Sequence, residues 1–130
     1  MMRFSQIKET CLYFPDLEKA KEFYHGLLDL PVIDNVKNKH IFFRVGTSVL
    51  LCFNPNDSRN KKSPPAHFAE GKIHFALEVE SKNYESFKEE IQQKKIPIID
   101  TIIWKNGQES FYFNDPIGNI VEILPIGIWD

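Results

Sequence analysis

Residues 72–79 read Lys-Ile-His-Phe-Ala-Leu-Glu-Val, with Ile73, Phe75, Leu77 and Val79 apolar and polar or small residues between them. A period of two over this stretch predicts a strand with one face on a core and the other open. His74 falls on the open face, where water or a ligand can reach it.

The same kind of reading extends along the chain. Residues 7–14 predict a first strand. Asp16, after Pro15, is placed to cap a helix whose apolar positions are Leu17, Ala20, Phe23, Tyr24, Leu27 and Leu28 and which ends near Asp29. Pro31 opens a second strand over 31–37. Asn38-Lys39 is a turn, and 40–45 and 48–53 are strands hinged at Gly46. Residues 54–71 carry Pro55, Pro64 and Pro65 with no periodicity, and predict a linker or a loop over a site. The order then repeats. Strand 72–80 is followed by a helix capped by Asn83, with Tyr84, Phe87 and Ile91 on one face. Strands follow over 96–104, 109–114 and 119–124. Asn106-Gly107 and Asp115-Pro116-Ile117-Gly118-Asn119 are the turns between them.

The chain therefore reads βαβββ, linker, βαβββ, with modules at 5–54 and 71–126 and a linker over 55–70. Glu9-Thr-Cys-Leu12 matches His74-Phe-Ala-Leu77, and Pro31-Val-Ile33 matches Pro97-Ile-Ile99; the two intervals agree to within one residue. A module of this kind leaves a sheet face incompletely covered, so each half needs a partner.

Composition narrows the function. A net charge of −2, with no basic cluster beyond Arg59-Asn-Lys61-Lys62, argues against nucleic acid. No apolar run is long enough to span a bilayer, and the first residues lack the core of a signal peptide, so a cytoplasmic protein without a membrane partner is expected. Cys11 and Cys52 fall in strands and read as free, buried thiols.

Three stretches carry a resemblance that covers nearly the whole chain: 16–24, Asp-Leu-Glu-Lys-Ala-Lys-Glu-Phe-Tyr; 73–79, Ile-His-Phe-Ala-Leu-Glu-Val; and 113–123, Phe-Asn-Asp-Pro-Ile-Gly-Asn-Ile-Val-Glu-Ile. With them the layout resembles the vicinal oxygen chelate superfamily: glyoxalase I, the bleomycin and fosfomycin resistance proteins and the extradiol dioxygenases. The resemblance implies an α+β fold of two βαβββ modules that form a curved mixed sheet around a cavity. It implies metal ligands on the first and last strand of each module. Carried over by position, these are His74 and Glu122 in the second half and Glu9 in the first, where the family usually has histidine. The fourth position is Leu50 or Leu51, depending on where a gap is placed, and neither can bind a metal.

One imidazole and two carboxylates suit one divalent ion, with Mn²⁺, Fe²⁺ or Ni²⁺ favoured over a structural Zn²⁺. Glu122, in an otherwise apolar strand, is the candidate catalytic group as well, since an ionised carboxylate there needs a cation or water. Arg44 is the one arginine in a predicted strand and can fork onto a substrate carboxylate or phosphonate. Ser110 and Tyr112 alternate with Phe111 and Phe113, so one pair lines the cavity. Phe42 and Trp104 are candidate apolar walls. His40 and His67 are spare candidates, and His25 reads as solvated.

Two functions follow. One is a metal-dependent enzyme acting on a small, oxygen-rich substrate. The other is a metal-free protein that sequesters a small molecule, as the bleomycin resistance proteins do. The missing fourth ligand weakens a glyoxalase I assignment, and a homodimer with its site between chains is expected from the resemblance.

Overall fold

The alternation in the sequence becomes two four-stranded sheets of one topology in the computed structural model, which describes residues 1–130. The chain divides into two units, Met1–Glu70 and Gly71–Asp130. In the first, β1 (Glu9–Tyr13) lies parallel to β4 (Ser48–Phe53), which pairs antiparallel with β3 (His40–Val45); β2 (Val32–Val36) closes the row. In the second, β5 (His74–Val79) lies parallel to β8 (Ile120–Pro125), followed by β7 (Glu109–Asn114) and β6 (Asp100–Ile103).

Each sheet has a helix on one face. After β1, α1 (Leu17–Ala20) starts where Asp16 accepts the Glu18 amide at 3.1 Å, as a capping carboxylate does. It widens directly into a π-wound segment, Lys21–Leu27, which ends with the Leu28 amide on the Phe23 carbonyl. Tyr24 is fully buried between Phe14 and Phe43, with ring centroids 6.2 and 5.8 Å away. Leu12, Ile41, Phe43, Leu50 and Cys52 complete that core. In the second unit, α3 (Tyr84–Gln93) sets Tyr84 against Phe111 at 5.7 Å, and Phe111, Phe113, Val121 and Ile123 are the buried layer beneath it.

Several boundaries differ from the sequence expectation, each for a local reason. Strand β6 starts at Asp100 rather than at residue 96. The Ile96 amide is still bonded to the Ile91 carbonyl at the end of α3, and Lys95 takes the left-handed conformation there, at φ 61°. Pro97 has no amide to give a ladder. Asn83 precedes α3 but makes no side-chain cap, because a 3-10 turn, Ser81–Asn83, leads into the helix instead. Of the predicted helical face, Tyr84 and Ile91 are buried and Phe87 is exposed. Cys52 is buried, but Cys11 is only partly so.

Residues 54–71, expected as a linker or a loop over a site, carry more structure than their lack of periodicity suggests: they begin with α2 (Pro55–Ser58), capped by Asn54 through the Asn56 amide at 3.0 Å. Ser58 is fully buried, and its carbonyl accepts the His67 amide. The ring of His67 then meets the Tyr13 hydroxyl at 2.8 Å and stands edge-to-face with the ring of Phe53, centroids 4.5 Å apart. Residues up to Glu70 thus belong to the first unit.

Candidate functional site

The face of each sheet away from its helix carries the chemistry. In β5 exposure alternates as the pattern predicts, with His74, Ala76 and Glu78 exposed and Phe75, Leu77 and Val79 turned toward the core. Register places Glu122 of β8 beside Ala76 and Tyr112, and Asp100 of β6 beside Tyr112. His74 therefore stands one step along the same face.

The two sequence-predicted groups of this unit meet. His74 Nε2 lies 3.3 Å from Glu122 Oε1, with the imidazole half exposed and the carboxylate almost wholly buried. The other ring nitrogen, Nδ1, is 3.1 Å from the Ile120 carbonyl. A carbonyl only accepts, so Nδ1 carries the proton and the neutral ring turns the Nε2 lone pair toward Glu122. Two acceptors then face one another, an arrangement that needs a cation or a proton between them. Glu122 Oε2 is buried with no hydrogen-bond partner. Two donors each about 2.1 Å from one divalent ion stand about 3.0 to 3.4 Å apart at octahedral to tetrahedral angles. The observed separation fits that range, and the Ile120 carbonyl supplies the outer-shell acceptor that a metal-ligating histidine normally has. Within the second unit, no further His, Cys, Asp or Glu joins the pair to make a group of three.

Tyr112 adjoins the pair, its ring 5.9 Å from that of His74. Burial raises its hydroxyl above the ordinary phenol range; Ser110 opposes this, and Glu122 and Asp100 add to it. Ser110 is fully buried and accepts the Trp104 indole N–H at 3.0 Å, so these two predicted site residues are bound to each other. Phe111 and Phe113 pack under the helix, which leaves Ser110 and Tyr112 on the site face. An open hollow of about 360 Å³ is lined by His74, Ile99, Asp100, Ile102, Tyr112 and Ile120.

In the first unit the corresponding face carries Glu9, Cys11 and Tyr13 on β1, and His40, Phe42 and Arg44 on β3. Glu9 is exposed. Phe42 stacks on His40 with ring centroids 4.0 Å apart, and His40 Nε2 pairs with Asp34 at 2.8 Å, so His40 is occupied by structure. Arg44 is half-buried, and no carboxylate of this unit pairs with its guanidinium. Cys11 titrates above the usual thiol range, first through burial and then through the nearby Glu9. His25 is exposed and holds the Leu30 carbonyl at 2.9 Å.

Residues 7–125 match the glyoxalase-like domain family. The chain belongs to that family. The glyoxalase-like fold is also seen in a lactoylglutathione lyase from Agrobacterium tumefaciens, to which this chain is 32% identical with a TM-score of 0.91, covering 98% of each chain. A glyoxalase/bleomycin resistance protein/dioxygenase from Nocardioides superposes with a TM-score of 0.75 at 20% identity, over 96% of this chain and 85% of that one. A virulence protein from Salmonella typhimurium gives the same TM-score, 0.75, at 20% identity, over 95% and 98%. No curated protein sequence matches at a significant level.

The strand register inside each unit resolves a point the sequence left open. Glu122 stands beside Ala76, two residues after His74; the equivalent neighbour of Cys11, two residues after Glu9, is Leu51. Leu51, not Leu50, therefore occupies the place of Glu122 in the first unit. Leu50 faces the helix and belongs to the core. Sequence reasoning overlooked Ile99, Asp100, Ile102 and Ile120 as lining residues. The cross-strand neighbours of Tyr112 are fixed by register, which the start of β6 shifted.

Proposed function

We propose that this protein is a metal-dependent member of the glyoxalase-like family that acts on a small, oxygen-rich substrate chelated to a divalent ion. The carrying observation is the His74–Glu122 pair, in which an imidazole fixed by a backbone carbonyl turns its lone pair to a buried carboxylate with an unused oxygen. His74 and Glu122 would hold the ion and Glu9 would supply a third ligand. Mn²⁺, Fe²⁺, Ni²⁺ or Zn²⁺ would serve as a Lewis acid. Glu122 would also serve as the base that takes a proton from the substrate. Tyr112 keeps its own proton and orients the substrate by donating to it. Arg44, unpaired in its own unit, would receive an anionic group, and Phe42 and Trp104 would serve as walls. What the resemblance implies for small members of the family supports a homodimer.

A second reading is favoured by Leu51, which leaves the first unit with at most one ligand. In that reading the protein binds a small molecule without metal. Metal analysis of protein purified without a histidine tag, followed by titration with each of the four ions, separates the two. The expected result is binding tighter than millimolar that weakens at least about tenfold in His74→Ala and in Glu122→Gln. If no ion binds below millimolar in the unaltered protein, the enzyme reading is lost. With the hemithioacetal of methylglyoxal little turnover is expected, because Leu51 removes a ligand; rapid turnover would overturn that inference.

A further inference from the structure

The hollow lined in part by His74 and Tyr112 also has walls that the metal reading does not use. Three of its walls are aliphatic: Ile99, Ile102 and Ile120. Two are rings, His74 and Tyr112. The sixth lining residue is Asp100, which is exposed at the rim. One Asp100 oxygen, Oδ1, accepts the amide of Thr101 at 2.8 Å. The carboxylate has no cation: no lysine, arginine or histidine pairs with it. The charges that act on the neighbouring Tyr112 are Glu122 and Asp100, both negative, with no positive side chain offsetting them. Across the sheet, Glu122, Tyr112 and Asp100 form one continuous row, with the phenol between two carboxylates.

Apolar walls, an aromatic face and one uncompensated carboxylate at the mouth select a particular ligand. An anionic molecule meets repulsion from Asp100. A neutral apolar one gains only the isoleucines. A molecule with a small apolar or aromatic body and a protonated amine satisfies all three features: the body fills the hollow, the ammonium pairs with Asp100, and the ring of Tyr112, the cross-strand neighbour of Asp100, offers an aromatic face for a cation. We propose that this hollow takes the protonated-amine end of a small ligand, with Asp100 as the residue that selects that positive charge. The proposal deepens the chelation reading and rests on it only for the ligand's other, oxygen-bearing end.

Three probes of nearly equal size and different charge test it: 2-phenylethylamine, 2-phenylethanol and 3-phenylpropionate. Each is titrated into the full-length protein at neutral pH, with the methyl resonances of Ile99, Ile102 and Ile120 as the readout. The amine is expected to bind about fivefold more tightly than the alcohol, the scale of one part-exposed ion pair, and the acid most weakly. Asp100→Asn, which keeps an acceptor for the Thr101 amide, should bring amine and alcohol together; Asp100→Glu should keep the preference. Equal binding of alcohol and amine, an amine preference that survives Asp100→Asn, or no methyl shift with any probe overturns the proposal. The chelation reading is scored separately, by the metal titrations in the His74→Ala and Glu122→Gln variants. Loss of metal binding there leaves the amine result standing, and loss of the amine preference leaves the metal result standing.

Discussion

The proton on His74 Nδ1 is the detail on which the site turns. Because the Ile120 carbonyl fixes it, the neutral ring is expected as the Nδ1–H tautomer, with Nε2 bare. Nitrogen-15 shifts of the ring at neutral pH would report it, and a protonated Nε2 in the neutral ring would remove the lone pair from the face of Glu122. The thiols give a second expectation at this scale. Cys11 is held above the ordinary thiol range by burial and then by Glu9, so its thiolate fraction at neutral pH is small. Alkylation by iodoacetamide should therefore be slower at Cys11 than at an unstructured thiol, and Glu9→Gln should speed it. Cys52, fully buried, should react only on unfolding. Faster labelling of Cys11 than of a free thiol would contradict the assigned environment.

At the scale of elements, the turn between β7 and β8 holds the second sheet together. Asp115 is buried and its carboxylate accepts from the amides of Ile117 and Asn119 and from the Asn119 side chain, at 2.9 to 3.1 Å. Asp115→Ala leaves those donors unmet and should cost about 2 to 4 kcal/mol in urea unfolding. Gly118 follows with φ 89°, a left-handed turn position that suits glycine. This turn was legible in the sequence, as were α1 with its Asp16 cap and the strands β3, β4 and β7, because each depends on local chemistry. The beginnings of β5 and β6 were not. Nothing in the residues themselves says that the Ile96 amide stays with α3, or that residues 54–70 find Tyr13 and Phe53. The same limit applies to the site. The contact of His74 with Glu122 was inferred from alternation and resemblance, whereas the place of Asp100 depends on a register that only the folded sheet defines.

For the molecule as a whole, acid is the informative perturbation. Lys88, 2.7 Å from Glu109 on the helix side of the second sheet, holds that carboxyl below the usual carboxylate range; burial opposes this and Tyr84 adds to it. A carboxyl that is more acidic folded than unfolded stabilises the fold above its unfolded pKa, and that contribution disappears as pH falls through the folded value. Lys88→Met should therefore lower stability at neutral pH by about 1 kcal/mol or less, since the pair is partly solvated. It should also flatten the decline in stability below roughly pH 4.3, the unperturbed glutamate value. An unchanged acid limb in Lys88→Met would show that the pair is not what acid disrupts. Light scattering should give the mass of two chains, and a single-chain mass at every concentration would exclude a shared site.

The order of strands also bears on how the protein is made. β1 bonds only to β4, and β5 only to β8, so the opening strand of each half has no neighbour until its closing strand arrives. On the ribosome, the segment bearing His74 must wait unpaired while the whole of α3, β6 and β7 emerges. A premature stop after Asn114 removes β8 entirely: it strands β5 without a partner and deletes Glu122 in the same event. Shortened translation products should therefore be aggregation-prone rather than weakly active, because the strand that completes the sheet is also the one that carries the carboxylate.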